Sequence, residues 1–281
     1  MNKCKIVKLT HISKIDNKLE TTSDIVMNAH IYKTEDIVMN YLTNFQNISQ
    51  QKIYSANEYM QFYSSEESVN DEWGTEMEFL PISISNNNFK IHRDVERIFE
   101  NRMSCREFNG EIEKSKLFAL LDCVLKNRKK KSGEYHRAYP SGGALYPIKI
   151  LLQISGVEGI KDGLYLYENE KNGLVYCENG FSGADIEEIL RGQKITFGRS
   201  KVLILFLYDF LQNYIKYYDI SLSLAFIEVG AISQSIQLVA PGCNIGYCDI
   251  GGFPKSKMER KLKLNQGYYH IVHVAIMGGV S

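Results

Sequence analysis

Charge of one sign is what this chain most plainly lacks. Its 33 lysines and arginines meet 33 aspartates and glutamates, for a formal net charge of zero. Without a basic excess there is no general attraction for nucleic acid or acidic lipid. Long apolar runs are missing too. The longest, such as VLILFLY at 202 to 208, fall far short of the roughly 20 residues that span a bilayer. The basic start MNKCKIVKLTHISK has no continuous apolar core of the kind a secretory signal carries, so a cytoplasmic protein is the expectation. The six cysteines (Cys4, Cys105, Cys123, Cys177, Cys243 and Cys248) include no CxxC pair, and no His pair stands where it would complete a zinc set. His270 and His273 lie three apart in YYHIVHVAIM, whose period-two alternation predicts a strand. On a strand that spacing sends them to opposite faces. No metal site is expected, and the cysteines are read as reduced and unpaired. Internal repeats, GxGxxG and GxxxxGK[ST] are absent, which removes the usual dinucleotide and P-loop phosphate sites.

What is present is ordinary for a globular protein: 44% hydrophobic and 23% charged residues over 281 positions, long for one domain and short for two. Residues 1–94 differ in texture from the rest. KTEDIVMNYLTNFQNISQQ places Ile37, Val38, Tyr41, Leu42 and Phe45 at helical spacing, and SNNN at 85 to 88 reads as a loop. This extension serves as packing surface, as arms around another subunit, or as a docking segment for a partner or peptide. From residue 95 the patterning sharpens. DVERIFENRMS is helical, and SKLFALLDCVLKNRKK is amphipathic with Leu117, Leu120, Leu121 and Val124 on one face. IKILLQISGV is a strand, GLYLYENEKNGLVYC a hairpin turning at ENEKNG, and ADIEEILRGQ a short helix ended by Gly192. KVLILFLYDF is a buried strand, SLSLAFIEVGAISQSIQLVAPG a long helix stopped by Pro241 and Gly242, and HIVHVAIMGG a closing strand. Helices around a mostly antiparallel sheet predict an α+β fold.

Three stretches carry candidate chemistry. In NRMSCREFNG, Arg102, Ser104 and Arg106 alternate. An extended backbone points all three to one side, where two guanidiniums and a hydroxyl suit a phosphate or the polar edge of a cofactor ring. The same alternation also suits an exposed charged segment. In AYPSGGALYP, Pro140 and Pro147 fix the ends while Gly142 and Gly143 remove side chains between them. Such a loop lets backbone groups approach a planar ligand, or simply turns the chain into a strand. In NIGYCDIGGFPKSKMERKLKLN, Gly251 and Gly252 again permit close approach, or form a turn feeding a surface helix. Finally, NYIKYYDISL sets Lys216 beside Tyr217 just before the long helix. Most lysines in such places face solvent.

In this order, RMSCREF, PSGGALYP, GLYLY, the Lys-Tyr of IKYYD ahead of EVG, and the IGG turn resemble the nitroreductase-like flavoproteins. Within them they are most similar to the SagB-type branch, azoline dehydrogenases that form thiazoles and oxazoles in ribosomally made peptides. The resemblance covers roughly residues 95 to 279 and implies an FMN-binding domain over 95–281 in an intertwined homodimer, with flavin at the subunit interface. It assigns Arg102, Ser104 and Arg106 to the FMN phosphate and ring edge, and Pro140, Ser141, Gly142 and Gly143 to the isoalloxazine and ribityl chain. It assigns Ile250, Gly251 and Gly252 to a turn facing flavin N5, and Lys216 and Tyr217 to catalysis. The implied reaction oxidises thiazoline or oxazoline rings, with the reduced flavin reoxidised by oxygen. The implied partners are an azoline-containing precursor peptide and the cyclodehydratase and docking proteins of its pathway. Plain nitroreductases have Asn where Ala144 stands. Many azoline dehydrogenases have Arg at the position of Ser223, and a basic residue where this chain ends MGGVS. The rival expectations are an NAD(P)H-dependent reductase of small electrophiles and a flavin-free scaffold subunit.

Lysine is a poor base at neutral pH unless burial or a nearby cation lowers its pKa, and an apolar flavin face beside Lys216 supplies such burial. Adjacent side chains on a regular helix diverge by about 100°. Lys216 and Tyr217 therefore reach one site only if the backbone there is irregular.

Overall fold

The run KVLILFLYD dictates the architecture. Val202, Ile204, Phe206 and Tyr208 pack in one apolar cluster and Leu203, Leu205 and Leu207 in another, all fully buried. A strand apolar on both faces must be covered on both faces. The computed structural model describes residues 41–42 and 92–281, apart from 130, 132, 179 and 265–267. In chain order these hold α1 (Arg93–Glu100), α2 (Lys114–Leu125), a two-stranded hairpin of β1 (Arg128–Lys129) and β2 (Tyr135–His136), then β3 (Ile148–Ser155), β4 (Gly163–Glu168), β5 (Gly173–Glu178) and α3 (Gly183–Ile189). There follow β6 (Lys201–Asp209), α4 (Phe210–Tyr217), α5 (Ser221–Val239), β7 (Ile245–Ile250), α6 (Lys255–Lys261) and β8 (Tyr269–Gly279). Six strands form one sheet in the order β5-β4-β3-β6-β8-β7, every pair antiparallel. The α+β expectation holds.

One face of the sheet is covered by α2 and α5. The predicted stripe Leu117, Leu120, Leu121 and Val124 is buried there, each side chain contributing about 1.5–3 kcal/mol of burial. The other face packs against α3 and α6. Ser182 starts α3 with a reciprocal cap in which it and Asp185 each satisfy the other's backbone N–H. The stretch Phe210–Cys243 is long and apolar enough by composition to cross a bilayer. Tyr218, at φ 45 and ψ −125, breaks it into α4 and α5, and α5 buries Leu222, Ala225, Val229, Ile232 and Ile236 against the sheet.

Three elements differ from their expected form. IGYCDI, read only as the approach to a glycine turn, is the edge strand β7. The lysine-rich helix α6 is not a surface helix, because Lys255, Met258 and Glu259 are buried. Lys255 Nζ lies 2.9 Å from Glu259 Oε1 and donates at 2.9 Å to the Leu42 carbonyl. Leu42 itself sits in the core at 1% exposure, and Tyr41 meets Phe226 edge-on at 5.9 Å. Part of the expected extension is therefore core, while Ile37, Val38, Phe45 and the SNNN loop lie outside the described residues. Strand β8 carries a bulge at Val272, where the partners of Phe206 and Leu207 are His273 and Ile271. Alternation is broken there, yet the two histidines go to different partners: His270 to Lys255 and Glu259, His273 to Asp249.

Candidate functional site

The antiparallel register sets the start of β3, the end of β6 and the end of β7 at one end of the sheet. Three sequence motifs ride on those strand ends: the 140–147 loop before β3, α4 with Lys216 and Tyr217 after β6, and Ile250-Gly251-Gly252 closing β7.

The loop is a strained turn. Gly142–Ala144 form a single 3-10 turn, and Gly143, Ala144 and Tyr146 take φ of 61, 55 and 51. For the two non-glycine residues such backbone costs of order 1–3 kcal/mol each and persists only where surroundings enforce it. Here they do. Ser141 Oγ accepts the Tyr146 N–H at 2.9 Å, and the Arg137 guanidinium lies 4.1 Å over the Tyr146 ring. Gln212 Nε2 donates to the Leu145 carbonyl at 2.6 Å, and the Asp209 N–H to the Pro147 carbonyl at 2.9 Å.

Lys216 and Tyr217 end α4, in its last turn, rather than preceding a helix in a loop. The irregular backbone is the residue after them, Tyr218. Both side chains nevertheless converge on the loop. A Cβ built on Gly143 would lie 2.5 Å from the Tyr217 hydroxyl and 2.8 Å from Lys216 Nζ, so only a glycine fits beneath the pair. Lys216 Nζ is 5.1 Å from the Tyr217 ring centre. Lys216 is exposed and Tyr217 half-buried within this chain. At the third motif Ile250 is buried, Gly251 is exposed with open space where a Cβ would stand, and the Gly252 carbonyl accepts from Gln193 at 3.2 Å.

The arginine segment lies elsewhere. The Cys105 N–H donates to the Tyr247 carbonyl on β7 at 2.8 Å, while the N–H groups of Phe108 and Gly110 donate at 3.0 Å to the carbonyls of Thr196 and Gly279. Beside them is a groove of about 540 Å³, lined by Ser104, Arg106, Gln237, Tyr247 and Ser281 among others. Its lining includes none of residues 140–147, 216 or 217. Arg102 does not line it. Its guanidinium donates to Gln237 Oε1 at 3.3 Å, and Gln237 itself lines the groove. The Arg106 carbonyl accepts the Thr196 N–H at 2.9 Å, while its guanidinium makes no hydrogen bond or ion pair among the described residues.

Sequence reasoning missed what sets these groups. Asp249 accepts from Ser233 at 2.7 Å, Gln237 at 2.8 Å and Tyr247 at 2.9 Å, with His273 Nε2 at 2.8 Å. Burial alone would raise the Asp249 carboxyl, but the hydrogen bonds from His273 and Ser233 hold it below its usual range. The network fixes the Gln237 amide so that its oxygen faces Arg102. Glu228 was noticed only as a spacing mark. It is the single charged residue in α5, and it is 1% exposed. A lone acid in an apolar helix was the signal available.

Comparison with known proteins places this geometry. A chain in the structure of the E. coli microcin synthetase McbBCD complex with truncated pro-MccB17 bound superposes with a TM-score of 0.67 at 19% identity, over 91% of this chain and 97% of that one. A structure from Anabaena variabilis described as a nitroreductase gives 0.54 at 23% identity, over 67% and 38%. A protein of Methanocaldococcus jannaschii named as a nitroreductase is 22% identical over 130 residues, 46% of this chain and 65% of that relative's length. The nitroreductase family model matches residues 99–279, from the arginine segment to the last residue of β8. The chain belongs to the nitroreductase family.

Proposed function

We propose that this member of the family is an FMN-dependent dehydrogenase that oxidises thiazoline or oxazoline rings in a ribosomally made peptide. The observation that carries the reading is the meeting of Lys216 Nζ and the Tyr217 hydroxyl over Gly143, which puts an amine and a phenol on a glycine loop. The residues present suit FMN. The groove's volume lies within the range of small-molecule sites, the Arg106 guanidinium makes no hydrogen bond or ion pair among the described residues and lines the groove with Ser104, and Gly251 leaves open space at the strand end. Arg102, Ser104 and Arg106 would hold the phosphate and ring edge, Pro140, Ser141, Gly142 and Gly143 the ring and ribityl chain, and Ile250, Gly251 and Gly252 the ring's far edge. FMN, when bound, supplies the hydride acceptor.

This chain's own residues handle the proton. Lys216 removes the hydrogen on the azoline Cα, leaving the Cβ hydrogen to depart with its electron pair. Tyr217 holds the ring nitrogen by donating its hydroxyl hydrogen. A second copy completes the site. Within one chain the arginine groove and the Lys-Tyr loop are separate, and α1, which buries no residue, exposes Val95, Ile98 and Phe99 while α5 exposes Ile227. Pairing two copies across those apolar residues brings the groove of one to the loop of the other. The peptide substrate and its cyclodehydratase are the remaining partners, a reading supported by the fold shared with a chain of a peptide-modifying synthetase complex. The test is a thiazoline-bearing peptide incubated in air with the flavin-loaded protein. Each oxidised ring loses two hydrogens by mass, Lys216→Ala lowers the rate at least about a hundredfold, and an unchanged rate in that variant removes the proposed role.

A further inference from the structure

Glu228 stands in the middle of α5 among the buried residues Ala225, Val229 and Ile232. Its Oε1 accepts the Ile148 N–H at 3.3 Å, and its carboxyl faces the Ser141 hydroxyl. Those contacts bracket the strained turn. Ser141 opens it, and Ile148 is the first residue beyond Pro147. Between them lie all three positive-φ positions, and on top rest Lys216 and Tyr217. The second oxygen, Oε2, is buried without a hydrogen-bond partner among the described residues. A carboxylate leaves that oxygen charged and unsolvated, whereas a carboxylic acid places a proton there and keeps Oε1 as an acceptor.

We propose that Glu228 is the positioning residue of the Lys216–Tyr217 site, pinning both ends of the 141–147 turn from beneath. It does so as a neutral acid. Arg137, Tyr139, Lys149 and Asp209 act on it or on its neighbours from the loop and the adjoining strands. Burial outweighs the two cations and pushes the carboxyl up to about 7. An opened turn gives the carboxyl back to water and to its ordinary range. The closed turn therefore binds a proton that the open one releases. Closure is favoured at low pH, weakens as pH rises from the ordinary carboxyl range to about 7, and changes no further above it.

The assignment of Lys216 and Tyr217 rests on the function proposed above, so the experiment reads the turn directly. Hydrogen exchange of the Tyr146 and Ile148 amides, corrected for intrinsic rates, is followed from pH 5 to 8 in the full chain, in Glu228→Gln and in Glu228→Ala. In the parent protein the protection falls by up to about tenfold per pH unit below 7 and then levels. Glu228→Gln keeps protection and makes it independent of pH, because the amide oxygen still accepts and nothing ionises. Glu228→Ala lowers protection at every pH. A flat parent profile overturns the inference. So does a fall that persists in Glu228→Gln, which assigns the titration to Asp209, and so does protection in Glu228→Ala equal to the parent's. Titrating protection in a protein that oxidises no azoline leaves Glu228's role standing and removes the proposed reaction.

Discussion

At the scale of single residues, Gly143 decides whether the candidate site exists. Its φ of 61 and the 2.5 Å separation of a built Cβ from the Tyr217 hydroxyl leave no room for a methyl group. Gly143→Ala is expected to cost about 1–2 kcal/mol of stability from the left-handed backbone, read by urea denaturation. It also displaces Tyr217 and Lys216, lowering azoline oxidation at least about tenfold, or 1.4 kcal/mol in the barrier, read as kcat on a thiazoline peptide. A variant with parental kcat would separate the pair from the loop. The pair itself was legible through its motif. The contact was not, because 73 residues separate Gly143 from Lys216 and a regular helix would have parted the two side chains. The partner of Arg102 was not legible for a related reason. Alternation describes an extended backbone, and it carries no record of Gln237, held by Asp249 from another strand, which accepts from the guanidinium. Glu228 adds a stability signature. With its carboxyl raised from the ordinary range to about 7, the folded state keeps a proton the unfolded chain loses. Its contribution falls by about 3 kcal/mol between the two pKa values. Glu228→Gln should therefore gain on the parent by that order between pH 5 and 8 in denaturation midpoints.

At the scale of elements, α6 shows how charge misleads a sequence reading. Its lysines pointed to a solvated helix, but Lys255 and Glu259, one turn apart, are both buried and satisfy each other. Glu259 also accepts the Ile271 N–H at 2.8 Å, which ties the helix to β8. Lys255→Met leaves a carboxylate buried without its cation and should cost about 3–5 kcal/mol. The double variant Lys255→Met/Glu259→Leu should recover most of that, as measured by urea denaturation of both. Equal losses in the single and double variants would mean the helix, not the pair, carries the effect. The long strands and α2 were legible because their apolar period extends over many residues. The edge strand β7 was not, since Gly246 and Asp249 interrupt its short apolar pattern. What makes it a strand is pairing with β8 on one side, with the Cys105 N–H bonded to the Tyr247 carbonyl and Cys105 and Phe108 packed against Gly246 on the other.

At the scale of the whole molecule, the α+β sheet was readable from antiparallel strands and hairpins, while the division of the site was not. Composition carries no record of where one chain's arginine groove ends and its Lys-Tyr loop begins. The exposed Val95, Ile98, Phe99 and Ile227 account for that division if a second copy lies against them. Changing Phe99 and Ile227 to Glu should shift sedimentation from dimer to monomer and abolish retention of FMN together. A monomeric parent protein that retains flavin would contradict the composite site. The most direct test of the central claim is one comparison: flavin-loaded parent and Lys216→Ala proteins, matched by visible spectrum, each incubated in air with a thiazoline-bearing peptide whose mass is followed. The account predicts loss of two hydrogens per ring with the parent and an unchanged peptide with the variant, both proteins remaining yellow. Oxidation at the parental rate by Lys216→Ala, or a parent protein that takes up no FMN, would contradict it.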